Sequence, residues 1–154
     1  FEMLNHIQLT RKAADESYSL LVFSLRGLGA VTTYAGHEAA QEALLGMGRY
    51  VDRHFSAIGG FSTRRNADEI ITMLPYSNLA EAEGILNLFI EDFQKRWLQD
   101  LRSSARRASS GEAVDLTILA GIAEGRSMTD VETVIGSAKS QQKEIGRIQS
   151  SAGE

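Results

Sequence analysis

The sequence predicts an α+β fold, a mostly antiparallel sheet with helices on both faces in a split βαβ arrangement. Three observations lead there. Phe61-Ser-Thr-Arg64 alternates at period two, and Ile70-Ile71-Thr72-Met73-Leu74 is a β-branched, apolar run stopped by Pro75, so two short strands flank a polar turn. A helix-patterned segment precedes this hairpin and another follows it. Tyr18 to Leu25 (YSLLVFSL) is a near-continuous apolar run, the pattern of a central strand covered on both faces.

Composition narrows the function classes. A chain of 154 residues, 43% hydrophobic and 23% charged, is expected to form one domain with a substantial apolar core. The single domain is placed over 1–148, with 149–154 as a polar tail. A net charge of −4 argues against a nucleic-acid binder that works by phosphate neutralisation. No apolar run reaches the roughly 20 residues that cross a bilayer. With no cysteine, disulfides, thiol catalysis and cysteine metal sites are excluded, and a cytoplasmic location is expected.

Taken in order, Phe1 to Glu16 reads as an amphipathic helix, with Phe1, Leu4, Ile7 and Ala14 on one face and Arg11 and Lys12 on the other. After the first strand, Gly27, Gly29 and Thr32-Thr33 form a connection with poor helix propensity. In His37 to Phe55, Ala40, Leu44, Met47, Val51 and Phe55 recur at helical steps. Gly59-Gly60 ends that pattern. In the hairpin turn, Asn66 suits a left-handed conformation, and Asp68 and Glu69 are expected exposed at the tip. Asn78 reads as an N-cap with Glu81 three residues on. The helix it opens carries a stripe through Leu79, Ala82, Leu86, Phe89, Phe93, Trp97 and Leu101, read as core.

Arg102 to Glu112 (RSSARRASSGE) loses the apolar period and reads as a solvated loop. Val114 to Ala123 alternates as a strand. A last helix is expected from Thr129, with Gly146 as its C-terminal cap. His6, His37 and His54 show no metal-ligand spacing.

This order is a ferredoxin-like topology, close to the palm of nucleotide cyclases and polymerases. Five short stretches then carry a more specific likeness. They are Phe23-Ser24-Leu25-Arg26, Tyr34-Ala35-Gly36-His37-Glu38 with Glu42 and Leu44, Asn66-Ala67-Asp68-Glu69-Ile70 followed by Leu74-Pro75, Gly121-Ile122-Ala123, and Lys143-Glu144-Ile145-Gly146-Arg147. In this order the chain resembles a GGDEF domain, the diguanylate cyclase family, over nearly its whole length. The family's opening Asp-x-Leu-Thr-Gly-Leu segment is absent and the chain starts at Phe1, which implies a piece of a longer bacterial signalling protein.

The departures point away from catalysis. The resemblance places the family's metal-holding Phe-Asp-x-Asp on Phe23 to Arg26, so Ser24 and Arg26 stand where carboxylates are needed; magnesium demands hard oxygen ligands. Asp68 supplies a carboxylate at the third signature position, and one carboxylate facing a neutral serine is a poor cage. The guanine-reading positions fall on Thr32 and Gln41, which lack the paired acceptor that guanine's donors require. Asn66 and Ala67 replace the two signature glycines. The family's Arg-x-x-Asp product-inhibition site falls on Ala57 and Gly60.

The expectation is a catalytically inactive GGDEF-like regulatory domain, with no metal and no cofactor. It would act through another protein, a neighbouring domain of the same longer chain, or a second copy in a homodimer. The alternative is a non-catalytic sensor of GTP or cyclic di-GMP. Vestigial nucleotide-binding candidates are Asp68, Glu69, Lys143 and Arg147, which would cluster at one end of the sheet; Arg64 and Arg65 join them in the sensor reading. An active cyclase is the least supported outcome, because of Ser24.

Overall fold

β1 (Tyr18–Arg26) is the middle strand of one five-stranded sheet, in the order β2-β3-β1-β4-β5. The remaining elements of this computed structural model are α1 (Tyr34–Ser56), β2 (Phe61–Arg65), β3 (Glu69–Pro75), α2 (Leu79–Asp92), a π-helical turn (Phe93–Trp97), α3 (Leu98–Ser109), β4 (Val114–Gly125), α4 (Val131–Ser140) and β5 (Lys143–Ser150). The structure describes residues 17–26, 34–66, 68–75, 77–109, 114–126 and 129–150. The expected Phe1–Glu16 helix, the Gly27–Thr33 connection, Ala67 and the end of the tail from Ser151 lie outside the described residues.

All neighbouring strands are antiparallel. β3 lies between β1 and β2, the signature of a split βαβ unit. The unbroken apolar run of β1 has the predicted cause, since its alternate side chains enter two separate cores. Leu21, Phe23 and Leu25 pack with Leu44, Met47, Val51 and Phe55 of α1 and with Leu86 and Phe89 of α2. Tyr18, Leu20 and Val22 pack on the opposite face with Val131, Val134, Ile135 and Ala138 of α4.

The hairpin forms as predicted, and Asn66 adopts the left-handed conformation at φ 58°. Asn78 caps α2 by accepting the Glu81 N–H at 2.8 Å. The core stripe needs one correction. The π turn inserts an extra residue, so the buried series runs Phe89, Phe93, Leu98, Leu101 and Trp97 is turned aside. Trp97 stacks on Tyr50 of α1, ring centroids 4.6 Å apart, and donates to Asp92 at 2.8 Å. Leu79, at the exposed start of α2, lies outside the core.

Two further corrections concern the C-terminal half. The stretch from Arg102 to Ser109, read as loop, is the end of α3. Arginine and alanine are good helix formers, and extending an existing helix needs no new nucleus. Leu101 is buried and Arg102 Nε donates to the Arg147 carbonyl at 3.1 Å, which anchors that segment. The last helix does not reach Gly146. α4 starts at Val131 and stops at Ser140, and Lys143–Ser150 is a fifth strand that includes Gln149 and Ser150 of the expected tail. A β-bulge falls opposite Ile118 and Leu119, and its extra residue, Ile145, is buried with Ile148 in the core. Gly146 is needed there for space, since a Cβ would come within 3.0 Å of Phe93 and Leu98.

Candidate functional site

The strand register fixes where the suspected residues meet. Ser24 lies opposite Glu69 of β3 on one side and Leu119 of β4 on the other, so all three share the sheet face covered by α4. Ser24 is nearly buried, at 9% exposure. Its hydroxyl accepts a hydrogen bond of 2.7 Å from Gln142 Nε2, which also donates to the Val22 carbonyl at 3.1 Å. Gln142 arrives from the short turn between α4 and β5. A neutral amide thus fills the space beside the residue that would have to hold a metal.

Glu69 was expected at an exposed tip and is instead buried, with only 3% of its surface accessible. The register requires this, because Glu69 begins β3 and shares the α4 face with Ser24. Burying a carboxylate is costly unless it is paired and hydrogen-bonded. Lys139 Nζ lies 2.6 Å from Glu69 Oε2, and Asn66 Nδ2 donates to Oε1 at 3.0 Å. A second ion pair, Arg65 to Glu132 at 2.7 Å, also ties the hairpin to α4.

The other candidates are dispersed. Asp68 sits half-buried in the turn, where its carbonyl accepts from the Leu25 N–H at 3.0 Å. Arg147 is opposite Thr117, itself opposite Arg26, so two arginines flank one threonine on the α4 face. Arg147 Nη2 lies 3.8 Å from Glu144 Oε1. Lys143 is opposite Ala120, which belongs to the core on the other face, so Lys143 and Glu69 lie on opposite sides of the sheet. Neither Lys143 nor Arg147 is a helix-terminal cation, because both are in β5. Among the described residues no three His, Cys, Asp or Glu side chains are grouped to hold a metal ion. The residues present do not fit a magnesium site: Ser24 is occupied by an amide, and Glu69 by an ammonium.

Lys139 and Gln142 escaped the sequence reading. The apolar positions Val131, Val134, Ile135 and Ala138 mark the buried face of α4, and Lys139 follows directly on its border. Extending that helix to Gly146 concealed the turn that delivers Gln142. Thr32 and the side chain of His37 lie outside the described residues, and Gln41 is half-buried on α1. A small cavity of about 290 Å³ opens between α1 and the hairpin, lined by Leu44, Gly48, Arg49, Ser62 and Arg64 among others.

No protein-family profile and no curated protein matches the chain in sequence. Solved structures do match in shape. The GGDEF domain of FimX from Pseudomonas aeruginosa superposes with a TM-score of 0.63 at 11% identity, over 91% of this chain and 81% of that one. The GGDEF domain of DgcB from Caulobacter crescentus, in complex with c-di-GMP, gives 0.61 at 13% identity over 90% and 77%. Diguanylate cyclase SiaD from Pseudomonas aeruginosa, in complex with its activator SiaC, gives 0.62 at 16% identity over 91% of this chain but only 52% of its own length. With its split βαβ sheet and helices on both faces, the chain has a GGDEF-like fold of the nucleotide-cyclase palm type.

Proposed function

We propose that this chain is a regulatory domain that does not synthesise cyclic di-GMP and acts by contact with another protein or a neighbouring domain. The observation that carries this reading is the hydrogen bond from Gln142 to Ser24. Cyclisation of two nucleotides requires a divalent cation on the phosphates, held by carboxylates. Here the strand position that would supply the first carboxylate offers a hydroxyl already committed to an amide. The matching structure of SiaD with its activator shows that a protein of this fold engages a protein partner, which supports the mode of action.

The direct test is incubation with GTP and magnesium or manganese. No cyclic di-GMP above background is expected. Product that disappears in Asp68→Ala overturns the reading.

A second reading, a non-catalytic sensor of GTP or cyclic di-GMP, draws on the cavity between α1 and the hairpin, where Arg49 and Arg64 offer cations. The DgcB complex supports it by fold alone. Against it, a cavity of about 290 Å³ is at the small end for a ligand of this size. Two unpaired base contacts, each worth about 1–3 kcal/mol, weaken binding by about a thousandfold. Calorimetry with each nucleotide separates the readings: a micromolar dissociation constant favours the sensor.

A further inference from the structure

β4 is only partly covered along its outer edge. Its pairing with β5 ends at Ala120 opposite Lys143, whereas its pairing with β1 continues to Gly125. From Gly121 to Gly125 the outer edge therefore has no strand beside it among the described residues. The cause is local: the chain leaves α4, turns at Gln141 and Gln142, and joins the sheet only at Lys143. A groove of about 750 Å³ runs along this edge, with α2 on one side and the end of α4 on the other.

A bare strand edge presents backbone N–H and C=O groups that call for partners. An extended segment of about five residues spans roughly 17 Å, the length of the open edge. Its side chains would alternate between two unlike walls. On the α2 side, Leu79, Leu86 and Ile122 offer apolar contact. On the α4 side there is little room, because Gly121 lies so close to the helix that even a Cβ would run into the Ala138 carbonyl and approach Gln142 Cγ to 2.8 Å. The charges are polarised along the groove. Glu124 stands at one end, accepting the Leu79 N–H at 2.7 Å, with Glu83 one helical turn further on; Lys143 stands at the other end.

We propose that this groove binds an extended peptide segment of a partner protein as a sixth, antiparallel strand. The segment alternates apolar residues, facing α2, with small residues, facing α4. Antiparallel pairing matches the rest of the sheet and puts the segment's N-terminal end beside Glu83 and Glu124, where a basic residue fits. Its C-terminal end meets Lys143, where a carboxylate fits. Main-chain hydrogen bonds supply affinity and the alternating side chains supply selectivity. The proposal gives the protein-contact reading a surface and rests on that reading only for its biological use. Peptide binding reports on the groove and GTP turnover on the Ser24 site, so the two fail separately.

The test is an NMR titration of the whole chain with the peptide Lys-Val-Ser-Val-Ser-Val-Glu. Expected are saturable amide shifts confined to the β4 edge, α2 and the α4–β5 turn, with a dissociation constant below about 1 mM. N-methylation of alternate valine amides should abolish them, since it removes the ladder donors. Glu83→Lys, an exposed substitution, should weaken this peptide by about threefold, and a peptide with its terminal Lys and Glu exchanged should recover the loss. Absence of saturable shifts, shifts mapping elsewhere, or binding indifferent to N-methylation each overturns the proposal.

Discussion

Lys139, on the last turn of α4, places its ammonium 2.6 Å from the Glu69 carboxylate of β3. The two partners are unequally exposed, at 45% for the lysine side chain and 4% for the glutamate. Removing one is therefore not equivalent to removing the other. A lysine that loses its partner turns to water, but a buried carboxylate that loses its cation has only Asn66 left.

Lys139→Met is expected to destabilise the fold by about 2 kcal/mol, within the range for a buried polar group deprived of its partner. Glu69→Gln should cost less, because the amide keeps the shape without the charge. Urea midpoints of both variants check the order, and equal losses would contradict the asymmetry.

Phe89 lies on the α2 face beneath β1, 1% exposed, its ring 5.4 Å from Phe23, 5.1 Å from Phe55 and 5.9 Å from Phe93. Phe89→Ala should cost about 3–5 kcal/mol, the usual range for deleting a buried ring. A loss under about 1 kcal/mol would mean that α2 does not close the core.

His54 stacks edge-on against Phe55 and Phe89, at 4.9 and 5.1 Å. Burial there pushes its pKa below the usual 6.5, with nearby Asp92 opposing the shift. The folded state then binds fewer protons than the unfolded chain, so stability rises with pH across this window. His54 should make its full contribution above about pH 6.5 and lose it as the pH falls toward and through the lowered value. Urea midpoints between pH 5 and 8 should slope upward, and His54→Gln should flatten the curve; an unchanged slope would assign the effect to other groups.

Ser24→Asp alone is expected to restore neither magnesium binding nor synthesis. The new carboxylate would stand opposite Glu69 on the same face, a like-charge pair that destabilises by about 1 kcal/mol. Thermal melts with and without magnesium test this. A melting temperature that rises on adding magnesium to the variant, but not to the parent chain, would show a competent cation site.

Much of the fold was legible because its signals are local. The hairpin is set by alternation and by Asn66, the α2 start by Asn78, and β1 by a run that only a doubly covered strand sustains. What failed depended on distant partners. Ile145 and Ile148 are three apart, a helical spacing, yet the bulge opposite Ile118 and Leu119 lets a strand bury both. Arg102 to Ser109 look solvated in composition, yet they extend a helix already anchored at Leu101. At the site, Ser24 was identified from its neighbours in sequence. Lys139 and Gln142 act across the sheet, on groups more than a hundred residues away in one case, and no local pattern announces them.

The π turn from Phe93 to Trp97 acts as a phase shifter. Deleting one residue from it would restore ordinary helical winding and rotate the twelve residues of α3 by about 100° about the helix axis. Leu98 and Leu101 would swing off the sheet, and Arg102 would lose the Arg147 carbonyl. One residue thus sets the azimuth of the whole following helix, and a relative that lacks it would have to carry its apolar stripe on different positions beyond this point.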